Sequence, residues 1–427
     1  MTERHLREVA NTVVCGEERM AWRKPLDRAR GLDPLSWTGC LRCFVIGIVP
    51  LSQTRAEVPA GVQSQMDSMP PKLRPVRRWL RLFAVVLGVG YPLALLIGWL
   101  LLRLVGEDWW VSLVVLYAPP VGFLFPAPPV IAVVWAWAPR RILALQVVSL
   151  LLGVFPLMGF HVGSARHGDT TDASAIRLVS YNIGLGYRGV PGIVAQVKKL
   201  DPNLVLLQEA DEGVAAELTA AFTGWHTDFR GQFFVASRFP LTNVYVPPHI
   251  HYAAGEGGAS RAGDGGAHFV TYTIATPLGL VDVFSVHTIS PHEGLEDMRS
   301  QGFFHELLAG HILFGQGLDR LNFGTYRRAR QVQGLAVAAR ASPRPVIIAG
   351  DTNLPGLSRI FRENLGGFDD AFAAAGLGFG YTYPSKFPWL RIDRILTNGK
   401  LRAVDFRVGD TLASDHLCVS ATITAGR

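Results

Sequence analysis

The stretch VIIAGDTNLP, residues 346–355, indicates the fold of this chain because it joins a buried-type strand to two polar side chains. Apolar and small residues predict a strand up to Gly350, and Asp351 and Asn353 follow two positions apart. Side chains alternate faces along extended backbone, so these two would point the same way. Asp, Asn and Pro are also turn residues, and a turn explains this stretch equally well on its own.

Polar or ionisable residues also lie at the ends of the other predicted strands. Those strands are IRLVSYNIG, NLVLLQEAD, the hairpin HFVTYTIATPLGLVDVFSVHT, RIDRILTN and HLCVSATIT. The residues at their ends are Asn182, Glu209, His287, Asp393, Asp415 and His416. Hydrophobic strands need no such groups for packing. If the strand ends converge, they form a cluster of four acids, two histidines and two asparagines.

A cluster of this composition predicts a hard divalent cation. Four carboxylates would repel one another unless a cation neutralised their charge. Oxygen ligands with few histidines favour Mg²⁺ or Mn²⁺ over Zn²⁺. The four cysteines do not change this, because Cys40 and Cys43 form a lone C-x-x-C with no second pair nearby.

Apolar residues are concentrated between residues 82 and 162 and predict a membrane segment. Hydrophobic residues make up 49% of the 427-residue chain, and the mean hydropathy is +0.24. Three uncharged runs have spanning length, namely 82–102, 110–138 and 142–160. The second run contains five prolines and is interpreted as one kinked span, with a re-entrant or two-part segment as the alternative.

The charge distribution predicts which side of the membrane each part occupies. Up to Phe160 there are 17 Lys and Arg against 10 Asp and Glu, whereas 24 of each follow. The basic residues precede the first span and recur as Arg140 and Arg141, so the N-terminus is expected in the cytoplasm. Three spans then put the C-terminal domain outside the cytoplasm. If the proline-rich run does not cross, the side reverses.

The pattern divides the chain into four parts. Residues 1–75 are a basic leader expected to be disordered, 76–162 the transmembrane region and 163–174 a polar linker. Residues 175–427 alternate strands with few helices, which predicts an α+β domain of two sheets packed face to face with helices outside. This domain has one cysteine, Cys418, and is held by its core.

The motifs SYNI, LLQEAD, VHT, AGDTN, RIDRI and SDH, in that order, resemble the signature series of the Mg²⁺-dependent endonuclease/exonuclease/phosphatase superfamily, which has the deoxyribonuclease I fold. The resemblance covers roughly residues 175–425, and the architecture is similar to a membrane-anchored bacterial subgroup. It implies that Glu209 is the principal Mg²⁺ ligand. Asn182 would lie beside it and Asp415 close to the metal. Asn182 capping a turn is the alternative.

The resemblance also implies the roles of five catalytic residues. Asp351 would orient and deprotonate the attacking water, and Asn353 would hold a phosphate oxygen. His287 and His416 would contact the scissile phosphate, and Asp393 would fix the tautomer of His416. These types suit phosphoester hydrolysis, which requires stabilisation of phosphoryl oxygens and an in-line water.

Two nearby groups of charges have simpler explanations. Asp393 is flanked by Arg391 and Arg394 and is alternatively a salt-bridge acid. Asp369 and Asp370 are expected to cap a helix rather than act in catalysis.

The resemblance implies phosphoester hydrolysis without naming the substrate. The balanced charge of the C-terminal domain and its tether disfavour nucleic acid, whose binding draws on many Lys and Arg contacts. The apolar residues between 292 and 327 would lie against a bilayer or an acyl chain, or pack on the domain's own sheet. A lipid-linked phosphate is therefore the expected substrate. An extracytoplasmic nuclease and a non-catalytic binding domain are the alternatives, and the oligomeric state is left open.

Overall fold

The computed structural model describes residues 73–163, 174–248, 268–290, 316–410 and 412–426. Several predictions fall on residues outside these ranges. They concern the leader up to residue 72, the linker from 164 to 173, and the apolar segment from 292 to 315.

The N-terminal bundle comprises four α-helices, some joined by short helical turns. They are α1 (Leu73–Leu104), α2 (Trp110–Tyr117), α3 (Ala127–Trp137) and α4 (Arg140–Leu152), which continues into a π-helical turn at Gly153–Leu157. Three segments are long and apolar enough to cross a membrane: Val76–Leu104, Pro120–Trp137 and Arg140–Leu157. The second is shorter than the predicted 110–138, because α2 ends before Pro119 and Pro120 and is a separate helix.

The C-terminal domain consists of two six-stranded sheets with helices outside. In chain order its elements are β1 (Ile176–Asn182), α5 (Val190–Lys199), β2 (Leu204–Gln208), α6 (Glu212–Ala221), β3 (His226–Arg230), β4 (Phe233–Ser237), β5 (Leu241–Tyr245), β6 (Phe269–Thr276), β7 (Gly279–His287), α7 (Gln316–Ala341), β8 (Val346–Asp351), α8 (Arg359–Leu365), β9 (Asp369–Asp370), α9 (Ala371–Ala375), β10 (Asp393–Thr397), β11 (Leu401–Val408) and β12 (Val419–Ala425). The sheet orders are β11-β12-β1-β2-β4-β3 and β5-β6-β7-β8-β10-β9.

The core lies between the two sheets, as the strand pattern predicts. Inward-facing residues such as Leu178 and Leu206 of the first sheet pack with Tyr272, Val283 and Ile347 of the second. The opposite faces are covered by α5 and α6 on one sheet and by α7 and α8 on the other. The predicted α+β class, a two-sheet sandwich of the deoxyribonuclease-I-like type flanked by helices and preceded by apolar helices, is confirmed.

The sequence analysis did not identify the edge strands β3 and β5 or the helix α6. Both strands are only partly buried, with half-exposed or exposed residues at every position. An edge strand of this kind lacks the apolar run that marks a central strand, because only one neighbour and one face constrain it.

Candidate active site

Sheet register brings the predicted site residues to one edge of the domain. The central strands β1 and β2 are parallel and end at Asn182 and Gln208, directly before Glu209. The equivalent pair in the other sheet, β7 and β8, is also parallel and pairs His287 with Asp351. Antiparallel β10 enters at the same edge and pairs Asp393 with Asp351. Ends of parallel strands from both sheets therefore meet at one site.

The backbone at this edge adopts conformations that residues with a Cβ atom rarely adopt. Glu209 and Asn353 have φ angles of +56° and +48°, in the left-handed region. Gly350 has a φ of +145°, and a Cβ atom there would lie 2.0 Å from the carbonyl oxygen of Val286. Such conformations cost free energy and persist only where neighbours hold them, which is common at functional sites.

Asp351 lies at the centre of the cluster and is 1% exposed. Its Oδ2 atom lies 3.1 Å from Asn182 Nδ2 and 3.3 Å from Asn353 Nδ2. The Nε2 atoms of His416 and His287 are 3.7 and 3.8 Å from the same oxygen. Burial raises the pKa of Asp351, and the two histidines oppose that rise in part. The carboxylate is therefore surrounded by nitrogen atoms of Asn182, Asn353, His287 and His416.

His416 and Asp393 form a buried pair. His416 Nδ1 is 2.9 Å from Asp393 Oδ2, and the ring of Tyr383 lies 4.8 Å from the imidazole centre. Burial alone would lower the pKa of His416, but Asp393 and Asp351 outweigh it and raise the pKa to about 10. The ring is therefore cationic at neutral pH, with Nε2 directed at Asp351.

His287 is held between Glu209 and a residue that no sequence motif indicated. Its Nε2 atom lies 3.3 Å from Glu209 Oε1, and its Nδ1 atom lies 2.6 Å from Gln232 Oε1. Gln232 precedes β4, which neighbours β2 in the sheet, so only the strand order reveals its proximity. It fixes the orientation of the imidazole.

Glu209, Asp415 and Asn182 are the predicted metal ligands. Glu209 and Asp415 are partly exposed, whereas Asn182 is 1% exposed. The Glu209 side chain is 32% exposed, and Asp415 Oδ1 accepts a hydrogen bond of 3.1 Å from Ser414 Oγ, which also donates to Asn182 O. Within the described residues, no donor contacts Oε2 of Glu209 or Oδ2 of Asp415. Oxygen donors with unused lone pairs fit a hard divalent cation. Asn182 Nδ2 faces Glu209 at 2.8 Å, so coordination by Asn182 requires its amide to turn.

A second group with ligand-like spacing is Asp351, Asp393 and His416, whose donor atoms lie within 4.8 Å of one another. His416 Nδ1 is already bonded to Asp393, and only Nε2 is available toward Asp351. One nitrogen of the imidazole is therefore already engaged, and all three residues of this group are buried.

The arginines beside Asp393 have a different partner. Arg391 and Arg394 both contact Asp370 Oδ2, at 2.6 and 3.2 Å. Asp370 also caps α9 by accepting a hydrogen bond from Phe372 N, which confirms the predicted capping role. Asp393 is therefore left to pair with His416.

Two packed sheets with carboxylates, amides and histidines at a common edge form a site of the kind found in phosphoester hydrolases. The profile described as "Endonuclease/Exonuclease/phosphatase family" matches residues 179–416, over half of the chain. The chain belongs to this family.

Solved structures with similar folds include three from other organisms. A Beutenbergia cavernae endonuclease/exonuclease/phosphatase is 18% identical over 59% of this chain and 72% of its own, with a TM-score of 0.41. Truncated Caenorhabditis elegans TDP2 is 18% identical over 59% and 98%, with a TM-score of 0.42. D. rerio TDP2 complexed with single strand DNA product is 15% identical over 59% and 100%, with a TM-score of 0.40. No curated protein matches the chain.

All eight predicted residues lie at this edge, and their roles stay predictions. The structure adds three residues that orient them: Gln232 at His287, Ser414 at Asp415 and Tyr383 at His416. Ser414 is adjacent to the SDH motif and was within reach of sequence reasoning. The other two come from distant segments and carried no signal.

Proposed function

We propose that this protein is a membrane-anchored, Mg²⁺-dependent phosphohydrolase or phosphodiesterase that acts on a lipid-linked phosphate, with Mn²⁺ as an alternative metal. Glu209, Asp415 and Asn182 would hold the cation. When bound, the cation would neutralise charge on the phosphoryl oxygens. The membership in a family of phosphoester hydrolases supports the reaction class.

In this proposal each residue of the site has a separate chemical role. Asp351 accepts the proton of the attacking water, and its buried position makes the carboxylate a stronger base. His416 stays cationic through Asp393 and stabilises the negative phosphoryl group. Asn353 and His287 orient the remaining phosphoryl oxygens. The combination requires an in-line water between Asp351 and the phosphorus atom.

The observation that carries the lipid substrate is the junction loop, residues 376–391. It meets the exits of the N-terminal bundle at three points: Gly378 O accepts from His161 N at 2.7 Å, Tyr381 OH donates to Met158 O at 2.6 Å, and Trp389 Nε1 donates to Tyr117 O at 3.2 Å. These bundle residues lie within four positions of the ends of two segments long enough to cross a membrane.

The same loop also contacts the catalytic cluster. The ring of Tyr383 packs on His416 at 4.8 Å, and Ser385 N donates to Asp415 O at 2.6 Å. One short loop thus joins the bundle ends to the metal and phosphate residues. An active site so close to the bilayer surface is suited to a phosphate carried by a lipid.

Apolar groups on this loop support contact with lipid. Leu377 and Phe387 are 73% and 69% exposed, and Lys386 lies beside Phe387. Exposed apolar residues next to a basic residue are typical of a surface that enters the headgroup region. A mainly apolar cavity of about 150 Å³ lies behind the loop, lined by residues of both parts, among them Leu116, Phe123, Met158, Leu357, Tyr381 and Trp389.

The proposal is tested with full-length protein in lipid nanodiscs containing Mg²⁺. The substrates are a polyprenyl phosphate or a phospholipid in the disc, plasmid DNA, and soluble bis(p-nitrophenyl) phosphate. We expect Mg²⁺-dependent hydrolysis of the lipid phosphate, and a loss of at least about 100-fold in Asp351→Ala because the proton acceptor is removed. Rapid nicking of plasmid DNA with inert lipid would identify a nuclease instead.

The contribution of the junction loop is tested by Phe387→Ser. We expect weaker hydrolysis of the lipid substrate and unchanged hydrolysis of the soluble diester. Leu280→Ser is the matched control, since Leu280 is an exposed residue at the far end of the β6–β7 hairpin. Equal activity of both variants on lipid would remove the support from the loop. Full biological activity of Asp351→Ala would favour the non-catalytic alternative.

A further inference from the structure

The loop of residues 352–358, which follows β8 and carries Asn353, is held from the side of the N-terminal bundle. Two bundle residues contact it, one near each end. Tyr117 of α2 reaches Asn353, and Glu107 of the preceding helical turn reaches the start of α8. Neither residue belongs to a motif of the catalytic domain.

Tyr117 makes a buried hydrogen bond to the backbone of Asn353. Its hydroxyl donates to Asn353 O at 2.7 Å across a separation of 236 residues. The tyrosine is itself fixed, because its carbonyl accepts from Trp389 Nε1 at 3.2 Å and the guanidinium of Arg328 lies 5.9 Å from its ring centre. A rigid donor therefore meets the carbonyl of the residue whose side chain faces the site.

Glu107 holds the other end of the same loop. It is 2% exposed, its Oε2 accepts from Arg359 N at 2.9 Å, and its Oε1 accepts from Ser358 Oγ. Ser358 in turn caps α8 through Phe361 N at 3.0 Å. A carboxylate at these amides fixes where the loop ends and the helix begins.

The conformation between these two anchors is one that needs support. Asn353 is in the left-handed region at φ +48°, where a residue with a Cβ is held only by its neighbours. Its side-chain Nδ2 donates to Thr288 O at 2.8 Å and lies 3.3 Å from Asp351 Oδ2. Its backbone N–H donates to Asp351 Oδ1 at 2.8 Å. A rotation of Asn353 would therefore also displace the carboxylate at the centre of the site.

We propose that Tyr117 and Glu107 are positioning residues, through which the N-terminal bundle sets the geometry of Asn353 and Asp351. The effect on turnover rests on the proposed hydrolase function, whereas the effect on loop order does not. The bundle thus completes the active site in addition to anchoring it.

Tyr117→Phe removes the hydroxyl alone. We expect kcat for bis(p-nitrophenyl) phosphate to fall about five- to tenfold while KM changes less than about twofold, because the reacting groups are misaligned without losing substrate contacts. Tyr91→Phe is the matched control. Tyr91 is also a buried bundle tyrosine, and its hydroxyl donates to Phe123 O at 2.8 Å, within the bundle, rather than to a loop residue. It should leave kcat unchanged.

Hydrogen exchange of the full-length protein supplies a readout that does not depend on activity. In Tyr117→Phe the peptide spanning 352–358 should exchange at least about threefold faster than in wild type, with no change in Tyr91→Phe. Glu107→Gln should give the same increase, and serves if Tyr117→Phe does not fold. If the peptide 352–358 exchanged at the same rate in Tyr117→Phe, Glu107→Gln and Tyr91→Phe, the proposal would be overturned. If wild type hydrolyses no phosphoester, the proposed function fails and exchange alone decides the positioning role.

Discussion

At the scale of single residues, the site works through opposed effects on two buried groups. Burial raises the pKa of Asp351, so that the carboxylate gains basicity, and the nearby His416 and His287 oppose that rise in part. His416 shows the reverse balance, since burial would lower its pKa and Asp393 with Asp351 raises it to about 10. These opposite shifts agree with the roles we propose, in which Asp351 accepts a proton and His416 holds charge.

The first prediction concerns the pH dependence. His416 has a pKa raised from the ordinary 6.5 to about 10, so the stability from its charge is complete below about pH 6.5 and is lost as the pH rises through about 10. Asp393→Asn removes the largest attraction, so that only Asp351 and Asp415 still oppose the lowering of the His416 pKa by burial. We expect the alkaline limb of the kcat/KM profile to move to lower pH, and activity at pH 8 to fall at least about tenfold.

Asp369→Asn is the control for this profile. It makes the same change from aspartate to asparagine, but at an exposed residue next to the Asp370 cap. It should reproduce the wild-type pH profile. An Asp393→Asn profile that coincides with the wild type would show that His416 does not depend on Asp393 for its charge.

The second prediction concerns the metal ligands. Glu209→Gln replaces a carboxylate that has a free oxygen with a neutral amide, and we expect the affinity for Mn²⁺ to fall at least about tenfold. Isothermal titration of the full-length protein measures it. Glu212→Gln, on the exposed first turn of α6, is the matched control and should bind as wild type does. Indistinguishable affinities would contradict the assignment of Glu209.

At the scale of elements, the parallel pair β7 and β8 governs the site. Val286 pairs with Gly350 and His287 with Asp351, so the separation of the two strands sets the distance between histidine and acid. Gly350 permits this close approach because it lacks a Cβ and tolerates its φ of +145°. The glycine in the AGD motif is thus explained by backbone contact.

The third prediction follows from that contact. Gly350→Ala would force the end of β8 away from β7, and we expect a loss of at least about 2 kcal/mol in the free energy of unfolding, with loss of activity. Thermal unfolding of the detergent-solubilised protein measures it. Gly356→Ala, six residues on and with no atom within 4 Å of an added Cβ, should unfold as wild type does. A melting temperature shared by both variants would refute the contact argument.

At the scale of the whole molecule, we propose one orientation of the bundle. Gln146 Nε2, in the middle of α4, donates to Gly88 O, in the middle of α1, at 2.7 Å, and Ile142 in the first turn of α4 also lies against Gly88. Arg140 and Arg141 therefore lie toward the same end as Arg77, Arg78 and Arg81, while the catalytic domain meets the opposite end at Tyr117 and Met158. Basic residues favour the cytoplasmic side, so the catalytic domain is expected outside the cytoplasm.

The fourth prediction tests this orientation with reporter fusions in a bacterial host. Alkaline phosphatase fused after Arg427 should be active, and green fluorescent protein at the same point should be dark, because each reporter folds on one side of the membrane. Fusions after Arg141 should give the reverse pair. Fluorescence after Arg427 would place the domain in the cytoplasm and reverse the proposed localisation.

The features that the sequence predicted are those that leave a local pattern in it. The central strands, the hairpin and the eight polar strand ends follow from apolar runs and from the order of motifs, because a central strand buried on both faces is apolar along most of its length. The partly buried strands β3 and β5 contain no such apolar run. Gln232 and Tyr383 lie far along the chain from the histidines they orient, so no local pattern includes them.

The sequence by itself determined that the chain has an apolar N-terminal segment, a two-sheet domain, and carboxylates and histidines at the strand ends. Those features depend on composition and local periodicity. For Asp393 the sequence left two partners open, and only the tertiary structure decided for His416, while the neighbouring arginines pair with Asp370. It alone brought Tyr117 and Glu107 onto the catalytic loop. The choice among several possible partners is made by packing in three dimensions, where residues 236 positions apart come within 2.7 Å.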